Sequence, residues 1–171
     1  MFSKILVAFD GSDHSALALE RAIEIAKQDN ASIVVFFSIQ HFFRTARNFP
    51  IPFLNMNMNM SMNMNMNASE IDVQSEQAVY DSHKELGERI LNAAKEKVEE
   101  AGLTCEIELA ENETPVEAAK NIVQSKGIDL VVVGAGGIHN ALGRAVIGSV
   151  SSGIANNVCC NILIMRAECK T

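Results

Sequence analysis

Five short apolar runs are separated along this chain by longer stretches with helical periodicity, and that alternation restricts the folds open to it. The runs are Lys4–Phe9 (KILVAF), Ser32–Ile39 (SIVVFFSI), Thr104–Leu109, Asp129–Gly134 and Asn161–Arg166 (NILIMR). Ser32–Ile39 is apolar on both faces, as a strand must be when helices cover both sides of a parallel sheet. Thr104–Leu109 alternates, as an outer strand does. Between the runs, His14–Asp29 places Leu17, Ala18, Ala22, Ile25 and Ala26 along one helical face. Ser69–Ala101 does the same with Val73, Ala78, Leu86, Ile90, Leu91, Ala94 and Val98, and Gly102 is placed to stop it. Thr114-Pro115-Val116-Glu117 carries a capping-box Thr and Glu with Pro at the first helical position, and Gly127 ends that helix. Val150–Asn157 forms a short helix of mostly small residues. Strand and helix alternating throughout, with right-handed crossovers, predict a single-domain, doubly wound α/β fold of Rossmann-like type. Helices lie on both faces of its open five-stranded parallel sheet. A chain of 171 residues suits one such domain.

Folds of this kind take ligands at the carboxyl ends of their strands. Here those ends carry Asp10, Ser38 and Gly134. Asp10-Gly11-Ser12-Asp13 is a turn that also supplies helix-capping side chains. Capping is the common role of such an aspartate, but its place at the end of the central strand favours a ligand role. The fourth run leads into Gly134-Ala135-Gly136-Gly137, and ten residues later comes Gly148-Ser149-Val150-Ser151. Glycines let the backbone approach an anion, and free N–H groups at a helix start point at it, so a nucleotide site is expected. Ser149 serves equally as a cap, using the same N–H groups. No Gly-Lys-[Ser/Thr] triplet makes this a P-loop, and no strand-following Gly-x-Gly-x-x-Gly marks a dinucleotide fold. None of His14, His41, His83 and His139 has an acid–base partner at a recognisable spacing. Arg144 reads as a solvated charge before a phosphate clamp, and no nucleophile is paired with a base.

The opening ILVAFDGSDHSALALERAIEIA and the ending DLVVVG…RAVIGSVSSGIANNVCCNILIMR resemble the two ends of the universal stress protein family, in the right order and separation. The resemblance implies strand order 3-2-1-4-5, a homodimer formed through the last strand, and ATP as ligand, with Mg alongside it. It implies that the backbone around Ala8 and the carboxylate of Asp10 hold the adenosine. Ser38, through its main chain, and Val133 line the adenine pocket. Gly134 and Gly137 admit the ribose and first phosphates, while Gly148, Ser149, Val150 and Ser151 present donors to the outer phosphates. The family's ATP-binding branch carries Gly-x2-Gly-x9-Gly-[Ser/Thr]. This chain has ten residues between Gly137 and Gly148, so its phosphate loop is one residue longer. The function implied is a nucleotide-dependent stress-response regulator and not an enzyme, although slow ATP hydrolysis or autophosphorylation occurs in parts of the family. The alternative is the branch that does not retain ATP and works through dimerisation and partner contacts.

The net charge of -7 argues against nucleic-acid binding, which needs clustered Lys and Arg. No run approaches the length of a membrane span, and Ile5–Phe9 is too short for a signal peptide. Cys105, Cys159, Cys160 and Cys169 fit neither a disulfide framework nor a zinc site, so reduced thiols and a cytoplasmic location are expected. From Asn55 to Asn67 asparagine alternates with methionine, broken once by Ser61. Extended, the tract would set six thioethers on one face, a soft-metal site for Cu(I) or Ag(I). The preferred reading is a disordered low-complexity loop, with a sticky partner surface as a third.

Overall fold

A computed structural model describes residues 1–40, 73–136 and 147–166, with side chains from Tyr80 onward in the second of these spans. The Asn/Met tract, Gly137, His41, His139, Arg144 and Cys169 lie outside the described residues. The element order is β1 (Lys4–Ala8), α1 (Asp13–Asp29), β2 (Ser32–Ser38), α2 (Val73–Glu100), β3 (Cys105–Ala110), α3 (Pro115–Lys126), β4 (Leu130–Gly134), α4 (Ser149–Asn157) and β5 (Asn161–Met165). All neighbouring strands pair in parallel, in the order β3-β2-β1-β4-β5.

Side-chain alternation divides the core into two layers. Ile5, Val7, Ile33, Val35, Phe37 and Val132 face one way, against Ala18, Leu19 and Ala22 of α1 and Ile90, Leu91 and Ala94 of α2. Leu6, Val34, Phe36, Val131 and Val133 face the other way, against Ala118, Ala119 and Ile122 of α3 and Ile154 of α4. A strand covered on both sides must be apolar at every position, which is why KILVAF and SIVVFFSI show no polar stripe. The face that α1 buries is Ser15, Ala18, Leu19, Ala22 and Ala26. Leu17 and Ile25, expected inside, are only half-buried. Leu19, at 1% exposure, occupies the inward position because Leu17 lies two residues, about 200°, round the helix from it.

Local signals at the helix ends operate as the sequence implies. Thr114 accepts from Glu117 N–H while the Glu117 carboxylate accepts from Thr114 N–H, a complete capping box. Gly127 and Gly102 take left-handed conformations just past the ends of α3 and α2, at φ 65° and 81°. The amino ends of β1 and β4 are joined by Asp129. Its carboxylate accepts from Ser3 N–H at 2.8 Å, Ser3 Oγ at 2.7 Å and Lys4 N–H at 3.1 Å.

The two edges of the sheet differ. β3 carries Glu106 and Glu108, which pair with Lys126 at 2.8 Å each, and Glu106 also meets Lys4 at 3.7 Å. β5 presents half-buried Ile162, Leu163, Ile164 and Met165 with no charge among them.

Candidate functional site at the carboxyl edge

The chain passes from β1 to β2 on one side and crosses back from β3 to β4 on the other, so the connections diverge above β1 and β4. That divergence leaves a crevice at the carboxyl edge. By strand alternation Ala8, Ser38 and Val133 all point to the layer shared with α3 and α4, and Val133 is 2% exposed. Ala110, paired with Ser38 on the neighbouring strand, shares that face. The edge is therefore floored by small residues where the same strands carry Leu6 and Phe36 further down.

Asp10 closes the turn after β1. Its Oδ1 accepts from Ser12 N–H at 3.0 Å and Ser12 Oγ at 2.6 Å, which leaves Oδ2 unengaged among the described residues. Ser12 in turn caps α1 by accepting from Ser15 N–H, and Gly11 supplies the φ of 78° that the turn needs. Ser38 is 6% exposed and its hydroxyl donates to Glu113 O at 2.8 Å. Only its main chain is left to face a ligand.

The end of β4 and the start of α4 are locked together. Gly148 N–H donates to Ala135 O at 2.6 Å, Ala135 N–H donates to Met165 O at 2.6 Å, and the Ser151 hydroxyl donates to Gly134 O at 2.5 Å. Two donors expected on the outer phosphates, the Gly148 N–H and the Ser151 hydroxyl, are thus engaged within the protein. The N–H groups of Ser149, Val150 and Ser151 have no acceptor among the described residues, and no side chain caps α4. The added residue between Gly137 and Gly148 lies within a loop whose two ends meet at the Ala135–Gly148 hydrogen bond.

Gly134 has a packing role that sequence reasoning did not reach. A Cβ there would lie 2.8 Å from His14 C and Cβ and 2.9 Å from His14 O, so only glycine lets the first turn of α1 approach β4. The loop from Glu111 to Thr114 was also missed. It borders Ser38 and is held by side chains from α2, α3 and the end of β2. The spacing of Tyr80 and Lys84, one helical turn apart, was visible in the sequence, but their partner Glu111 lies about thirty residues on.

A doubly wound sheet with small residues at its switch point and an uncapped helix start beside them defines a single-domain, Rossmann-like α/β protein. Residues 1–50 and 62–166 match the model of the universal stress protein family, and the unmatched stretch, 51–61, runs into the Asn/Met tract. The chain is 34% identical to Universal stress protein YxiE of Bacillus subtilis over 97% of its own length and 100% of that protein. Among solved structures it is similar to hypothetical protein MJ0577, with TM-score 0.73, 15% identity and 98% of each chain covered. It is also similar to a universal stress protein in complex with cAMP, with TM-score 0.56, 25% identity and 96% of each chain covered. The chain belongs to the universal stress protein family.

Proposed function

We propose that this protein binds an adenine nucleotide, ATP foremost, at the carboxyl edge of its sheet and acts as a nucleotide-dependent regulator in the cytoplasm. The observation that carries the reading is the start of α4. Three N–H groups without acceptors among the described residues sit at the positive end of a helix dipole, tied to β4 by the Gly148–Ala135 and Ser151–Gly134 hydrogen bonds. The small-residue floor formed by Ala8, Ser38 and Val133 admits a flat base, and Asp10 Oδ2 is open to a ribose hydroxyl. A universal stress protein of similar fold in complex with cAMP supports the choice of an adenine nucleotide. Among the described residues no three acidic, His or Cys side chains gather to hold a metal, so Mg2+ would arrive on the phosphates. Homodimerisation through the apolar edge of β5 belongs to the same reading.

Gly148→Asp tests it. Gly148 sits at φ -62° and ψ 157°, an extended conformation open to any residue, and is the uncapped N-cap of α4. Aspartate there caps the helix and stabilises the fold by a few tenths of a kcal/mol. It also takes the N–H donors and sets a negative charge where phosphate would lie. Nucleotide released from the denatured protein, together with ATP calorimetry, should show binding in the wild type and none in the variant at undiminished Tm. A wild type that neither carries nor takes up ATP would refute the proposal.

A further inference from the structure

The loop Glu111–Thr114 joins β3 to α3 directly beside Ser38, and its anchors come from three separate parts of the chain. Ser38 Oγ donates to Glu113 O at 2.8 Å, and Gln40 Nε2 donates to Asn112 O at 2.9 Å. Asn121 Nδ2 of α3 donates to Glu113 Oε1 at 2.7 Å. From α2, Tyr80 Oη donates to Glu111 Oε2 at 2.5 Å and Lys84 Nζ to Glu111 Oε1 at 2.7 Å. Each oxygen of one carboxylate is thus held by its own donor, with the two donors a single helical turn apart. That arrangement fixes the orientation of the carboxylate as well as its position. Glu111 directly follows Ala110, the residue paired with Ser38 across the sheet. The hydrogen bonds to Lys84 and Tyr80 keep the Glu111 carboxyl below its ordinary range, so it is ionised at neutral pH.

We propose that Glu111 is a positioning residue for the base end of the nucleotide site, transmitting the placement of α2 to the wall of that site. The inference rests on the adenine-nucleotide reading above. Gln40 lies two residues past the end of β2, and the described structure resumes at Val73, seven residues before Tyr80. Gln40 and Tyr80 are both hydrogen-bonded to the same loop, Gln40 to Asn112 and Tyr80 to Glu111. A shift of α2 pulls on Glu111 and displaces the carbonyls of Asn112 and Glu113, which hold Gln40 and Ser38. The phosphate end, built on β4 and α4, is anchored separately through Gly134 and Ala135. Glu111 should accordingly govern base affinity and leave phosphate affinity alone.

The test uses the full chain with Glu111→Ala and Tyr80→Phe, titrated with ATP and with inorganic tripolyphosphate. Couplings between sites in proteins commonly span about 5- to 150-fold. Glu111→Ala should weaken ATP about fivefold or more while tripolyphosphate changes less than about twofold. Tyr80→Phe should move ATP in the same direction. Amide exchange in the ligand-free variant should accelerate across 111–114 and remain unchanged at the start of α4. Unchanged exchange in that loop, unchanged ATP affinity, or equal losses for both ligands would each overturn the proposal. A wild type that binds neither ligand would instead refute the nucleotide reading, a result distinct from any change in the variants.

Discussion

Replacing Gly134 by alanine separates a packing role from a ligand role at the most conspicuous glycine of the carboxyl edge. The added Cβ would meet His14 C and Cβ at 2.8 Å and His14 O at 2.9 Å. Two of these are backbone atoms of α1 and cannot swing aside. Moving from 2.8 Å to ordinary contact at 3.4 Å requires α1 to retreat from β4 by about 0.6 Å. That retreat loosens Ala18, Leu19 and Ala22, which are all at most 1% exposed. Overpacking of this sort costs about 1–3 kcal/mol. For a chain of this length that corresponds to a Tm lowered by roughly 2–12 °C. The assay is thermal and urea unfolding of nucleotide-free protein, where the urea midpoint should fall with an unchanged m-value. Gly153→Ala is the companion. Its Cβ would crowd a side-chain atom, Val116 Cγ2 at 2.7 Å, with Val116 Cβ and Cγ1 at an ordinary 3.8 Å. Alanine inside α4 regains about 1 kcal/mol of helix propensity, so the net change should stay within about 1 kcal/mol. If Gly134→Ala unfolds at the wild-type temperature without ligand, the close approach of α1 is not what the glycine serves.

Thr114→Ala removes the capping box of α3 and should cost about 1 kcal/mol, a Tm lower by about 2–4 °C; an unchanged Tm would show that the box contributes nothing. Burial raises the Asp129 pKa, but hydrogen bonds from the Ser3 side chain and from the Ser3 and Lys4 N–H groups outweigh it and leave the carboxyl below its ordinary value. A depressed native pKa adds stability above the unfolded pKa of about 3.9, and that stability disappears as pH falls through the lower native value. Urea midpoints of wild type and Asp129→Asn should therefore differ at pH 7 and converge below about pH 4; a constant gap would refute the assignment. Burial, with the charge of Glu99 adding to it, pushes the Cys105 thiol up to about 11. Iodoacetamide at mildly alkaline pH should label exposed Cys159 in the native protein and reach Cys105 only after unfolding, as peptide mapping would show.

The strand–helix order was legible because both of its signals are local. Short two-sided apolar runs and helix-end residues such as Thr114, Pro115 and Gly127 need no knowledge of distant partners. The positions of Ala8, Ser38 and Val133 on one face follow from strand alternation once the sheet is parallel. What the sequence did not reveal depends on contacts between remote segments. Leu17 and Leu19 are equally apolar, and only the docking angle of α1 decides which is buried. The glycine at 134 reads as a ligand glycine until His14 is seen against it. Glu111 is one acidic residue among many until Tyr80 and Lys84 arrive from α2. The commitment of the Ser38 and Ser151 hydroxyls to backbone carbonyls was likewise hidden, since a serine at a strand end or a helix start looks the same whether it serves a ligand or the fold.

The contrast between the two outer strands limits how many copies of this chain can join sheet to sheet. Growth into a filament needs two compatible borders on each molecule, one to receive and one to offer. The carboxylates of Glu106 and Glu108 with their lysine partners make the β3 border a poor template for another strand. The β5 border has no such guard between Asn161 and Met165. Of the two borders, only β5 is free of that obstacle, so the dimer proposed above would use up the sheet's one open edge. In the proposed homodimer, two copies meeting along β5 would satisfy each other, and the assembly would close at a symmetric pair.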